Sequence, residues 1–123
     1  MHSPAVLLVD DDEDILEILS YNFRKSGFEV LRAKDGNEGQ RLAAAFKPGL
    51  IIADLWMPGM DGIRMCRYIR SMPALDSSRI IILSADGHKG RAVEALKAGA
   101  DVYLTKPLPP ADIVQLGKSI ALH

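Results

Sequence analysis

Residues 5–14 read Ala5-Val6-Leu7-Leu8-Val9-Asp10-Asp11-Asp12-Glu13-Asp14, five apolar residues followed at once by five acids. An apolar run without alternation describes a strand buried on both faces, as in a parallel sheet covered by helices. Five residues are too few for a signal peptide or a membrane span. Runs of the same kind recur at Phe28–Arg32, Leu50–Ala53, Ile80–Leu83 and Val102–Leu104.

Helical patterns fill the intervals. Ile15, Leu16, Ile18, Leu19 and Phe23 form a stripe that Gly27 closes. Asp35 with Glu38 opens a second helix running to about Phe46, and Asp61 caps a third carrying Ile63, Cys66 and Ile69. A fourth spans about His88 to Ala98 and stops at Gly99. The last follows Pro109-Pro110 and carries Ile113, Val114, Leu116, Ile120 and Ala121. Gly90 and Gly117 interrupt the last two helices, each at a cost of roughly 1 kcal/mol against Ala, which predicts that both are soft. Five βα units in series predict an α/β fold with a doubly wound parallel sheet and five helices.

Composition narrows the function. With 123 residues, one domain over 1–123 is expected. The net charge is −1, from 15 basic and 16 acidic residues, which gives no general case for nucleic acid or a membrane as partner. The single cysteine, Cys66, excludes an internal disulfide and fits a cytoplasmic location. His2, His88 and His123 are too scattered for a zinc site. Five of the 16 acids stand in one pentapeptide, so the charge is concentrated.

In doubly wound sheets, ligands bind beyond the carboxyl ends of the strands. There the sequence places Asp10 and Asp11, Asp54, Ser84, and Thr105 with Lys106. Crowded carboxylates repel one another unless a cation sits among them, and an all-oxygen set suits a hard ion, Mg²⁺ first. Asp54, ending the third run, is the natural nucleophile or phosphate acceptor. Lys106 can balance phosphoryl charge and Ser84 can donate a hydrogen bond, which are the needs of phosphoryl transfer. Asp12, Glu13 and Asp14 belong instead to a first helical turn, where acids cap free amides and favour the helix dipole.

Five ordered motifs lie at these strand ends. They are Leu7 to Asp14, Asp54-Leu55-Trp56-Met57-Pro58-Gly59-Met60-Asp61-Gly62, Leu83-Ser84-Ala85, Gly99-Ala100-Asp101, and Tyr103-Leu104-Thr105-Lys106-Pro107. With them the chain resembles a response-regulator receiver domain of two-component signalling over about residues 5 to 121. The resemblance implies a flavodoxin-like strand order 2-1-3-4-5. It implies Asp54 as phospho-acceptor, and Asp10, Asp11, Asp54 and the Trp56 backbone carbonyl as ligands of Mg²⁺, with Mn²⁺ as a substitute. The Trp56 and Ala85 backbone amides would face the phosphoryl group, and Lys106, joined to Pro107 by a cis bond, would contact it. Ser84 and Tyr103 would form the switch that alters the surface of the fourth helix, fifth strand and fifth helix.

The implied partners are a sensor histidine kinase or phosphotransfer protein, and a downstream output domain or partner protein. Such a domain is no enzyme in the ordinary sense, since it catalyses only its own phosphorylation and slow dephosphorylation. The Trp56 indole, two residues past Asp54, is expected to obstruct hydrolytic water. Ending at Leu122-His123 just after a helix, the chain is expected to be the first domain of a longer regulator or hybrid kinase, a stand-alone regulator being the alternative. A homodimer through the switching surface is compatible with Arg91, Asp101 and Lys118, which do not decide it. Two other functions stay open: a Mg²⁺-dependent phosphatase with an aspartyl nucleophile, against which Trp56 stands where a D-x-D acid belongs, and an interaction module that never carries phosphate.

Overall fold

A computed structural model describes residues 4–121. His2, His123 and the terminal Leu122-His123 pair lie outside the described residues. The elements run β1 (Ala5–Val9), α1 (Glu13–Lys25), β2 (Glu29–Ala33), α2 (Gly36–Phe46), β3 (Leu50–Asp54), α3 (Gly62–Arg70), a 3₁₀ turn (Pro73–Leu75), β4 (Arg79–Ser84), α4 (Lys89–Lys97), β5 (Val102–Thr105) and α5 (Pro110–Ala121). All strand pairs are parallel and the order is β2-β1-β3-β4-β5, as the resemblance implies.

The period of two along each strand explains the unbroken apolar runs. Leu7, Val9, Ile51, Ala53, Ile80 and Ile82 face one side, packing against Ala43 of α2, Ile63, Met65, Cys66 and Ile69 of α3, and Ala95 of α4. Val6, Leu8, Leu50, Ile52, Ile81 and Leu83 face the other, against Leu16, Leu19 and Phe23 of α1 and Ile113 and Val114 of α5. Both faces of the three central strands are thereby removed from water, the dominant favourable term in folding. The edge strands β2 and β5 are only partly covered, so the expectation of two buried faces holds for β1, β3 and β4.

Helix starts follow the caps read from the sequence. The Asp12 carboxylate accepts from the Asp14 N–H at 2.9 Å and the Ile15 N–H at 3.4 Å. Asp35 and Asp61 accept from Glu38 and Arg64 N–H groups, each at 2.8 Å. Such caps satisfy amides that have no partner within the helix. His88 at the start of α4 makes no side-chain cap.

Two expectations need correction. The second strand begins at Glu29, not Phe28, because Phe28 turns into the core edge-on to Phe23, ring centroids 5.0 Å apart. Ala33 takes the last place in β2, pairing with Val9, and its carbonyl accepts from the Asp10 N–H at 3.0 Å. Gly117 is a point of close approach rather than a soft spot. A Cβ there would lie 2.7 Å from Leu50 Cδ2 and 3.3 Å from Phe23 Cε1, so only glycine lets α5 sit this close to β3.

Candidate functional site

β1 and β3 are neighbours although β2 separates them in sequence, so the chain leaves β1 and β3 toward opposite faces of the sheet. That reversal opens a crevice beyond their carboxyl ends. Asp10 and Asp11 follow β1 and Asp54 ends β3. One carboxylate oxygen from each of the three lies within 4.8 Å of the others. A hard divalent cation, which holds oxygens at roughly 2.0–2.6 Å, can bridge such a set, so these donors fit Mg²⁺.

Lys106, one residue past β5, reaches into the same crevice. Its Nζ stands 3.3 Å from Asp10 Oδ2 and 3.6 Å from Asp54 Oδ1. Its backbone N–H donates to the Ser84 carbonyl at 2.7 Å, and its bond to Pro107 is cis. Asp10 is buried and Asp11 exposed, so the crevice has a dry and a wet side. Burial raises the carboxyl of Asp10 above its ordinary range, against the Asp12 N–H and the Lys106 ammonium, which lower it. Burial likewise raises Asp54, Lys106 opposes, and the nearby Asp10 and Asp11 charges add to the rise. For Asp10 and Asp54, burial outweighs the relief that Lys106 gives, and a divalent cation held by these oxygens would oppose that rise.

The loop after β3 is held by a close backbone approach. The Gly62 N–H donates to the Leu55 carbonyl at 2.8 Å, and a Cβ on Gly62 would lie 2.4 Å from the Asp54 carbonyl oxygen. That explains Gly62 immediately after the cap Asp61: the start of α3 is pressed against the strand end that carries Asp54.

Ser84 ends β4, one residue past Leu83, the cross-strand partner of Asp54. It is fully buried, and its Oγ accepts from the Asp86 N–H at 3.0 Å. Tyr103 does not join the carboxylates. Its ring packs on the α2–α3–α4 side of the sheet, and its hydroxyl donates to the Asp86 carbonyl. Ser84 and Tyr103 therefore meet through the backbone of Asp86.

Trp56 and Ala85 lie in the loops after Asp54 and Ser84, and the indole of Trp56 is half exposed. Sequence reasoning did not foresee what covers it. The Arg91 guanidinium sits over the indole, 5.0 Å from the ring centroid, with Nε 3.8 Å from Asp86 Oδ2. Contact between a helix and a loop far apart in sequence leaves no spacing signal. Asp101 also proves structural: its Oδ2 accepts from Arg70 Nη2 at 3.0 Å and from the Ile80 N–H at 2.8 Å. Of the charges weighed for a dimer, Arg91 and Asp101 are both engaged within the chain.

Among the described residues no helix is long and apolar enough to cross a membrane. Residues 6–118 match the family model described as response regulator receiver domain. The chain is 37% identical over 115 residues to the alkaline phosphatase synthesis transcriptional regulatory protein PhoP of Bacillus subtilis, covering 94% of this chain and 47% of that protein. It is 41% identical over 118 residues to the transcriptional regulatory protein PrrA of Mycobacterium tuberculosis, covering 96% and 50%. The chain thus spans about half the length of these curated relatives. Its fold superposes on the crystal structure of a putative response regulator from Chloroflexus aurantiacus with a TM-score of 0.91 at 33% identity, covering 99% of this chain and 100% of that one.

Proposed function

The chain belongs to the response regulator receiver domain family, and from that premise we propose that it carries a signal as a phosphoryl group on Asp54. The observation that carries this reading is the meeting of three carboxylates and one ammonium at the β1–β3 switch point.

A phosphohistidine of a sensor kinase or phosphotransfer protein, or a small acyl phosphate, is the donor. An Asp54 oxygen attacks phosphorus in line with the leaving group, the new O–P bond forms, and the donor's P–N or P–O bond breaks. Mg²⁺, or Mn²⁺ in its place, would be held by Asp10, Asp11, Asp54 and the Trp56 backbone carbonyl and would neutralise charge building on the phosphoryl oxygens. The Lys106 ammonium, now between Asp10 and Asp54, is within reach of the third charged centre that forms. The Trp56 and Ala85 amides and the Ser84 hydroxyl supply neutral donors.

Ser84 Oγ accepts from the Asp86 N–H and keeps its own O–H free to donate, so a turn of the hydroxyl toward a phosphoryl oxygen on Asp54 would pull on the Asp86 backbone. Asp86 also holds the Tyr103 hydroxyl, so the movement is handed to α4, β5 and α5. That surface carries Val93 and Leu96, both half exposed, and is where an attached output domain or separate partner would bind. The domain is a signalling element whose only chemistry is gaining and losing its own phosphoryl group, in a cytoplasmic setting. Residues 1–123 constitute one such receiver.

Mg²⁺ titration read by Trp56 fluorescence tests the reading, since Trp56 is the single tryptophan. Saturable change at micromolar to millimolar Mg²⁺, weakened at least about tenfold in Asp11→Asn, is expected. No response, or an unchanged response in the variant, would remove the metal from the site.

A further inference from the structure

The network above leaves Arg91 without a role, although it touches both loops that flank the carboxylates. Its guanidinium lies 5.0 Å from the Trp56 ring centroid, in the loop after Asp54. Its Nε lies 3.8 Å from the Asp86 carboxylate, in the loop after Ser84. Its Nη1 donates to Glu94 Oε2 at 3.0 Å, anchoring the side chain along α4. The same Asp86 accepts the Tyr103 hydroxyl through its carbonyl and gives its N–H to Ser84 Oγ. Arg91 thus ties the first turn of α4 to the Trp56 indole, two residues past Asp54, and to the switch pair at once.

We propose that Arg91 is a positioning residue for phosphoryl lifetime: it clasps the Trp56 indole to the β4–α4 loop and so restricts water at an Asp54 acyl phosphate. The proposal rests on Asp54 being the phospho-acceptor. In the step it slows, a water oxygen attacks phosphorus, the bond from Asp54 oxygen to phosphorus breaks, the carboxylate is restored, and inorganic phosphate leaves with the water's proton passing to solvent. A planar guanidinium suits this work because it stacks on an indole and pairs with a carboxylate together. Because the clasp is rooted in α4, a partner that displaces α4 would also uncover the phosphoryl group. Lifetime and output binding would then be linked.

The test labels wild type, Arg91→Ala, Trp56→Ala and the double variant with a small acyl phosphate and Mg²⁺, removes the donor and follows first-order loss of the label. Arg91→Ala is expected to lose phosphate about two- to fivefold faster than wild type, the rate equivalent of an exposed cation–π contact. The double variant should decay no faster than Trp56→Ala, because the clasp acts through the indole. Arg91→Ala should also make the indole more accessible to acrylamide quenching without lowering the thermal midpoint appreciably. Full labelling with decay and quenching equal to wild type would overturn the clasp and leave the acceptor standing. Absence of label on the wild type would overturn the acceptor, and this proposal with it.

Discussion

Lys106 is where the chemistry of the site is most concentrated. Its ammonium is the only basic group paired with Asp10 and Asp54 among the described residues, and burial already pushes both carboxyls upward. Lys106→Ala should cut the yield of Asp54 label about tenfold or more, since it removes charge stabilisation where phosphoryl charge develops. Intact-protein mass after a fixed exposure to donor reads it. Cys66 sits at the opposite chemical extreme. It is fully buried, its Sγ donates to the Ala98 carbonyl at 3.5 Å, and burial pushes its thiol up to about 11. The raised value keeps the thiol protonated well above neutrality, so it should resist aromatic disulfide reagents at pH 8 until the protein unfolds. Reaction of native protein at the rate of a free thiol would contradict that burial. Asp101 holds Arg70 and the Ile80 amide together. Asp101→Ala should cost about 1.5–3 kcal/mol, read as a lower denaturant midpoint with an unchanged slope.

At the scale of elements, the two helix glycines that look alike in sequence behave oppositely. A Cβ at Gly90, in the first turn of α4, would meet nothing within 4 Å. Gly90→Ala should therefore stabilise the protein by about 0.5 kcal/mol through reduced backbone freedom in the unfolded chain. A Cβ at Gly117 would press on Leu50, fully buried in β3, and on the Phe23 ring. Gly117→Ala should destabilise by about 1 kcal/mol, overpacking exceeding the gain in helix propensity. Thermal midpoints moving in opposite directions would establish the difference. Sequence carried the helix propensity of both positions but not the distance between α5 and β3, which depends on how two faces of a sheet close. For the same reason the caps at Asp12, Asp35 and Asp61 were legible and the Arg91 clasp was not. A cap needs only residues two or three apart, whereas the clasp joins α4 to a loop that only the folded sheet brings beside it. α4 is the least anchored helix: Ala95 is its one buried residue among those described, and His88 gives it no side-chain cap. It is the helix on which a movable surface would be built.

For the whole molecule, the unbroken apolar runs were enough to predict a parallel sheet with covered faces, because burial of both sides leaves no polar alternation to read. They could not say that β2 and β5 form the edges; the strand order came from the resemblance and agrees with the observed β2-β1-β3-β4-β5. The positions of Asp10, Asp11, Asp54, Ser84 and Lys106 were legible because each ends a strand or follows one within two residues, and parallel strands deliver their carboxyl ends to one edge. What the edge does with them is the central claim. It is tested most directly by exposing the protein to a small acyl phosphate, with and without Mg²⁺, and mapping the modified residue by peptide mass. One phosphoryl group on Asp54, requiring Mg²⁺ and absent from Asp54→Asn, is the predicted result. Equal labelling of Asp54→Asn, or no labelling of the wild type by a competent donor, would contradict it.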